Sequence, residues 1–350
     1  MIGTPAFFKA RALVTMLLAR YHLCMAASRS FFLGVNYPWL NYGADFGRSP
    51  RGYTGVALGQ MRENVAADFT RISSSGASIV RWFLLCDGRS GIRYENGIPV
   101  DVDEFLFADV AAALDLASQS RLRICFSLFD FLWLQAPDEM QQSADPSTTF
   151  PGRNALQFAG GREALLQRVL TPLFREFHSH PALFAWEIVN EPEWAIPEFQ
   201  RSPRAALPFA DARAFFEETV QAIHEEAGSI LVTLGSARLQ WFRAWSEIGL
   251  DMFQAHYYPQ LERDQTLPEQ LAGLKELPKP VWLGELPAND PSSPAYSVHA
   301  ALTACREAGL AGAGIWRWRP PEPGGSDAPF GTVQPEILTA WLSQSLDLRV

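Results

Sequence analysis

The amino-acid sequence predicts an α/β fold, a (β/α)8 TIM barrel in a single domain. Short apolar runs rich in Val, Ile, Leu and Phe alternate eight times with amphipathic stretches, the rhythm of βα units feeding a parallel sheet. No shift of composition divides the chain, and 350 residues fit one barrel, a fold that commonly takes about 250 residues or more. Eight alternations without a break favour a closed barrel over two doubly wound sheets.

The strands are read in order at Phe31–Asn36, Ser78–Phe83, Arg123–Leu128, Leu183–Val189, Ile230–Leu234, Met252–His256, Val281–Gly284 and Gly314–Trp318. Helices are expected over Val56–Ser75, Asp103–Ser118, Arg162–His178, Pro208–Ala227, Ala237–Glu247, Pro268–Leu277 and Ser293–Ala308, with Pro335–Ser345 closing the chain. In the third of these, Leu165, Val169, Leu173 and Phe177 recur four apart, one helical face. The stretches Cys86–Val100, Phe131–Gly161 and Arg319–Thr332, rich in Gly, Pro, Asp and Ser, read as irregular. All three follow strands, where a barrel places its working loops.

Residues 1–30 read as an N-terminal extension and 31–350 as the barrel. Lys9 and Arg11 precede an apolar stretch, Ala12 to Ala19, that imitates a secretory leader until Arg20 and His22 interrupt it. The stretch is too short to span a bilayer. Met25 stands just before the first strand, so residues 1–24 read as an over-extended start or a loose arm, and the expectation is a leaderless, cytoplasmic protein.

Apolar residues make up 48% of the chain, which provides a core, and the formal charge is −9 with no basic block. Such a field repels phosphate backbones and anionic lipid, so neither nucleic acid nor membrane is an expected partner. Cys24, Cys86, Cys125 and Cys305 form no Cys-x-x-Cys pair and read as reduced structural thiols. His256 has no partner at His-x-His spacing, and Lys275 and Lys279 fall in a helix and a loop, so neither a metal-dependent hydrolase nor a Schiff-base aldolase is favoured. No metal and no cofactor are expected.

Two acids are selected by position among the 38 Asp and Glu. Glu191 ends the run Ala185-Trp186-Glu187-Ile188-Val189-Asn190-Glu191-Pro192, and Glu285 ends Pro280-Val281-Trp282-Leu283-Gly284-Glu285. Each closes an apolar strand, where a carboxylate is costly to desolvate. At the fourth and seventh strands they meet the need of glycosidic-bond cleavage for two carboxyl groups at one barrel mouth. Strict alternation would turn Asn190 and Glu191 to opposite faces, so the strand must bend or end between them.

Asn-Glu-Pro after the fourth strand and Gly-Glu after the seventh resemble the clan A glycoside hydrolases, in particular family 5, the cellulase and mannanase group. His256-Tyr257-Tyr258 after the sixth strand resembles the family's His-x-Tyr pattern, Arg81 its strand-two arginine, and Trp316 its sugar-stacking tryptophan. The resemblance spans about residues 31–345. It implies a retaining enzyme acting on a β-linked oligo- or polysaccharide of β-mannan or β-glucan type. In that reading Glu191 is acid/base, Glu285 nucleophile, and Arg81 and Tyr258 support the nucleophile's charge. Asn190 takes the sugar 2-hydroxyl, His256 lies near Glu191, and Trp316 floors the sugar ring.

Bland readings stand beside these: Arg81 as neutraliser of a buried Glu187, His256 as a core histidine, Trp318 as competitor of Trp316 on the same strand parity. Asn36 and Trp39, in the polar and aromatic run Asn36–Asp45 after strand one, read as a sugar-binding rim, with barrel-bottom or loop packing as the bland reading of Tyr37 and Trp39. Glu193 and Trp194 read as shaping neighbouring subsites. The family's strand-three histidine has no counterpart in Ser127–Trp133, where Asp130 is the candidate to cover part of its role. That departure motivates the alternative, a non-catalytic carbohydrate-binding barrel.

Overall fold

The computed structural model describes residues 31–48, 52, 55–136, 156–262, 265–274, 277–290, 295–320 and 328–347. Its elements run β1 (Phe32–Asn36), α1 (Gly59–Ser74), β2 (Ile79–Phe83), β3 (Ile92–Glu95), β4 (Ile98–Val102), α2 (Leu106–Gln119), β5 (Arg123–Asp130), a single helical turn over Phe131–Leu134 and then α3 (Ala159–Leu165). A π-helical turn, Leu166–Leu170, joins α3 to α4 (Thr171–Phe177), followed by β6 (Leu183–Asn190), α5 (Phe209–Glu226), β7 (Leu231–Ser236) and β8 (Phe253–His256). The series ends with α6 (Leu267–Ala272), β9 (Val281–Pro287), α7 (Val298–Glu307), β10 (Gly312–Trp316) and α8 (Pro335–Asp347). Eight strands close in the order β1-β10-β9-β8-β7-β6-β5-β2, every pair parallel. This is the expected (β/α)8 barrel.

The sequence is layered along the barrel axis. Residues near the strands' amino ends, among them Phe32, Ile79, Phe184, Met252 and Trp282, form an apolar plug. Above it sit buried polar side chains, Asn36, Arg81, Ser127, Glu187, Gln254 and His256. At the carboxyl ends Phe83, Tyr258 and Trp316 cluster with Trp39, Tyr42 and Phe330 as an aromatic rim. Every residue of the eight barrel strands is buried except the half-buried Arg123, which is why they read as continuous apolar runs.

Three expectations are corrected. The stretch Cys86–Val100 is not wholly irregular, because Ile92–Glu95 and Ile98–Val102 pair as an antiparallel hairpin across Asn96-Gly97, both at positive φ, a two-residue turn signal. Ala237–Glu247 is not an α-helix; a 3-10 turn covers Phe242–Trp245. Its buried residues Leu239, Phe242, Trp245 and Ile248 recur every third position, the period of the tighter helix. The last strand is Gly312–Trp316 rather than Gly314–Trp318, and β9 runs three residues past Gly284.

Cys86, Cys125 and Cys305 are buried free thiols, and Cys24 lies outside the described residues. So do the N-terminal 30 residues, Lys275 and most of the long loop after β5. Among the described residues no helix is long and apolar enough to cross a membrane.

Candidate active site

Strand β6 ends at Asn190, and Glu191 adopts a left-handed backbone, φ 50° and ψ 48°. That turn re-aims the carboxylate, so both Asn190 and Glu191 line one cavity although alternation alone would part them. A left-handed conformation costs a non-glycine residue about 1 kcal/mol or more and persists only where neighbours hold it. The Glu191 N–H donates to the Gly235 carbonyl at 2.6 Å. Pro192–Ala195 then winds as a 3-10 turn, and buried Glu193 pins it by accepting from Ser236 Oγ (2.6 Å), Trp245 Nε1 (2.7 Å) and the Ala237 N–H (3.0 Å). Glu193 therefore anchors the turn and does not shape a subsite, a correction of its expected place. Trp194 stays near the mouth, its Nε1 donating to Glu191 Oε2 at 2.7 Å.

Glu285 lies within β9, in register with His256 of β8. It accepts from Arg81 Nη1 and from the Tyr258 hydroxyl, both at 2.6 Å. Arg81, wholly buried, spends its fork on Glu187 (Nε 2.5 Å, Nη2 2.6 Å) and donates to Asn36 Oδ1 and Asn190 Oδ1, each at 2.8 Å. Neutralising Glu187 and supporting Glu285 are thus not alternatives, since one guanidinium does both. His256 Nδ1 lies 2.7 Å from Glu191 Oε1 and 3.6 Å from Glu285 Oε1, between the two acids.

Burial pushes the Glu191 carboxyl up to about 7, opposed by the Trp194 hydrogen bond and the Arg81 charge. Burial raises Glu285 as well, against the pull of His256, Arg81 and Tyr258 toward the charged form. Glu187 is the contrast: burial opposes its charge, yet the Arg81 fork holds it below the usual carboxylate range. Burial lowers His256 to about 4, leaving it neutral near pH 7. Burial also lifts Asp130 to about 7, although Asn190 and Tyr42 donate to it.

Seven of the ten sequence-selected residues line a cavity of about 430 Å³: Trp39, Asp130, Asn190, Glu191, Tyr258, Glu285 and Trp316. Arg81, Asn36 and His256 lie beneath, with no exposed surface. Asn36 is no rim residue; its Nδ2 donates to the Gly284 carbonyl at 2.8 Å and its Oδ1 receives Arg81. Trp316 lines the cavity and packs edge-on against Trp39, whereas Trp318 is not among the lining residues and lies under the Arg71 guanidinium. Asp130 receives the Tyr42 hydroxyl (2.9 Å) and Asn190 Nδ2 (3.2 Å), linking the rim to the acid-bearing strand.

Tyr42, which belongs to the rim run Asn36–Asp45, completes the aromatic wall together with Phe83 and Phe330, two residues that the sequence did not single out. Phe83 was within reach, because it lies two residues beyond Arg81 on one strand face. Phe330 carried no signal, since a loop from a distant segment folds it over Tyr258. Glu191, His256 and Glu285 each bring one donor atom within 4.8 Å of the others, a spacing a metal could use. Those atoms already engage one another, Arg81 and Tyr258, and a guanidinium 2.6 Å from Glu285 opposes a second cation there.

Fold and site define a parallel barrel with two carboxylates converging at the carboxyl ends of its strands, the class on which glycosidic chemistry is commonly built. No protein-family model matches the chain. A mannan endo-1,4-beta-mannosidase of Cryptopygus antarcticus is 24% identical over 237 residues, covering 62% of this chain and 55% of that protein. One from Mytilus edulis is 25% identical over 167 residues, covering 47% and 41%. The chain spans about half the length of the curated relatives it matches. The crystal structure of a beta-1,4-D-mannanase from Cryptopygus antarcticus superposes with a TM-score of 0.70 at 19% identity, covering 89% of each chain. The resemblance to family 5 drawn from the motifs thus agrees with these relatives and with their fold.

Proposed function

We propose that the chain is a retaining β-glycoside hydrolase acting on β-1,4-linked mannan, with Glu191 as acid/base and Glu285 as nucleophile. One observation carries the mechanism: the carboxylates offer oxygens within 4.8 Å of each other. Double displacement uses carboxyl groups about 5–5.5 Å apart, whereas inversion needs about 6.5–9.5 Å to admit a water. The mannan assignment is supported by the relatives, which are mannan endo-1,4-beta-mannosidases.

In the first step Glu191, its proton retained to about pH 7, protonates the leaving oxygen while Glu285 attacks the anomeric carbon. The glycosidic bond breaks and a glycosyl ester forms on Glu285. Esterification removes the Glu285 charge, so the Glu191 carboxylate is easier to keep ionised and takes a proton from the attacking water. Arg81 and Tyr258 aim their hydrogens at Glu285, favouring its charged form before attack and on release. Asn190, its carbonyl held by Arg81, lies at the cavity wall for the 2-hydroxyl, and Trp316 supplies an apolar floor.

The test is hydrolysis of manno-oligosaccharides followed by proton NMR of the fresh product, with peptide mapping after an activated 2-deoxy-2-fluoro-mannoside. Retained β configuration and a label on Glu285 are expected. An inverted first product, or a label elsewhere, overturns the assignment; glycan binding without turnover would make the chain a non-catalytic binding barrel.

A further inference from the structure

Gln254 is buried on the inward face of β8, two residues before His256 and on the same side of the strand. Its Nε2 lies 2.8 Å from Glu187 Oε2 and 3.5 Å from His256 Nε2. Glu187 is held ionised by the Arg81 fork, so only the NH2 end of the amide can face it. The second hydrogen of that NH2 group is then left for His256 Nε2, 3.5 Å away, a contact that is favourable when this nitrogen presents a lone pair.

Turning the amide would set its carbonyl against a carboxylate, and the orientation is kept although Gln254 Oε1 is buried with no partner among the described residues. The flanking strands make room for it. A Cβ on Gly235 of β7 would stand 3.1 Å from Gln254 Nε2 and 2.6 Å from Glu187 Oε1, and one on Gly284 of β9 would stand 2.8 Å from Gln254 Cδ.

We infer that Gln254 is a positioning residue that fixes the imidazole proton of His256 on Nδ1, so that neutral His256 donates to Glu191. The inference rests on reading Glu191 as the acid/base. An N–H at 2.7 Å from Glu191 Oε1 stabilises the carboxylate as its proton leaves, and Glu285 Oε1 lies 3.6 Å from the same nitrogen. With the proton on Nε2 instead, the Nδ1 lone pair would accept from protonated Glu191 and hold it acidic to higher pH. The charged and titratable groups facing the ring are Glu191, Glu285, Glu187 and Arg81, and the polarity runs from Arg81 through Glu187 and Gln254 to His256.

The test is nitrogen-15 NMR of histidine-labelled protein at neutral pH, with His256 assigned by comparison with His256→Asn, alongside the pH profile of Gln254→Met. The parent is expected to show a protonated, pyrrole-type Nδ1 and a pyridine-type Nε2. In Gln254→Met the other tautomer should become populated, and the alkaline limb of kcat/KM should move up by about half a pH unit or more. A parent with the proton on Nε2, an imidazolium, or a variant with both tautomer and limb unchanged would overturn the inference. Should the variant not fold, the parent spectrum decides alone. A Nδ1-protonated ring in a protein that turns over no glycoside would remove the hydrolase reading and leave the proton assignment standing.

Discussion

Arg81 Nη1 stands 2.6 Å from Glu285 Oε1 while the other two nitrogens of the same guanidinium grip Glu187, so the carboxylate proposed as nucleophile and the buried ion pair share one cation. Substitution at Arg81 therefore strikes fold and site together. Arg81→Met leaves Glu187 buried and unpaired and should cost about 3 kcal/mol or more. Arg81→Lys keeps a charge but loses the fork, and a loss of about 100-fold in kcat is expected with a smaller loss of stability. Thermal melts beside kcat separate the two; a lysine variant of parental activity would contradict the shared role.

A bell-shaped pH profile should end, on its alkaline side, near the Glu191 value of about 7. The acid must be protonated to act, so kcat/KM falls as pH rises through that value. Glu191→Gln should lower kcat/KM by about 100-fold or more and flatten that limb. An alkaline limb that survives the substitution would assign it to another group.

Much of this was legible in the sequence, and the reasons differ by residue. Apolar runs buried on both faces mark barrel strands, and an acid at the end of such a run stands out because burial there is costly. What stayed hidden depends on long-range contact. Glu193 reads in the sequence as a subsite residue, whereas the tryptophan of a 3-10 turn 52 residues away donates to it and holds it in the interior. Asn36 and Trp39 looked alike in one rim segment, yet the first ends a strand and points inward whereas the second packs on Trp316. Gln254 carried no motif at all, and its meaning comes from the charge state of Glu187.

Glu193→Leu removes the acceptor shared by Ser236, Trp245 and the Ala237 N–H. Leaving buried donors unpaired should cost about 3 kcal/mol. Because the same turn holds Glu191 in its left-handed conformation, kcat should fall further than the melting temperature alone explains. Activity measured well below the melting transition checks this, and parental kcat there would show that the turn holds without its anchor.

Trp316→Leu opens the cavity floor while keeping an apolar side chain. Loss of one aromatic face should raise KM about tenfold with a smaller effect on kcat. Steady-state kinetics on manno-oligosaccharides read the split; a parental KM would place the sugar away from this ring.

Asp130 gives the clearest sign for stability against pH. Its folded-state value is about 7, raised from 3.8, so the folded protein binds its proton more tightly than the unfolded chain does. The folded state is therefore penalised as pH climbs above the unfolded value, and the penalty is complete once pH passes the folded one. Asp130→Asn removes that charge. Its amide can still accept from Asn190 and donate to the Tyr42 oxygen, so the two contacts survive in altered polarity. At about 1.4 kcal/mol per unit, a gain of about 1–4 kcal/mol is expected at pH 8 and almost none near pH 4, with KM rising if Asp130 meets the sugar. Melting temperatures of parent and variant across that range decide it, because a gain equal at both ends would mean that the carboxyl is not the titrating cost.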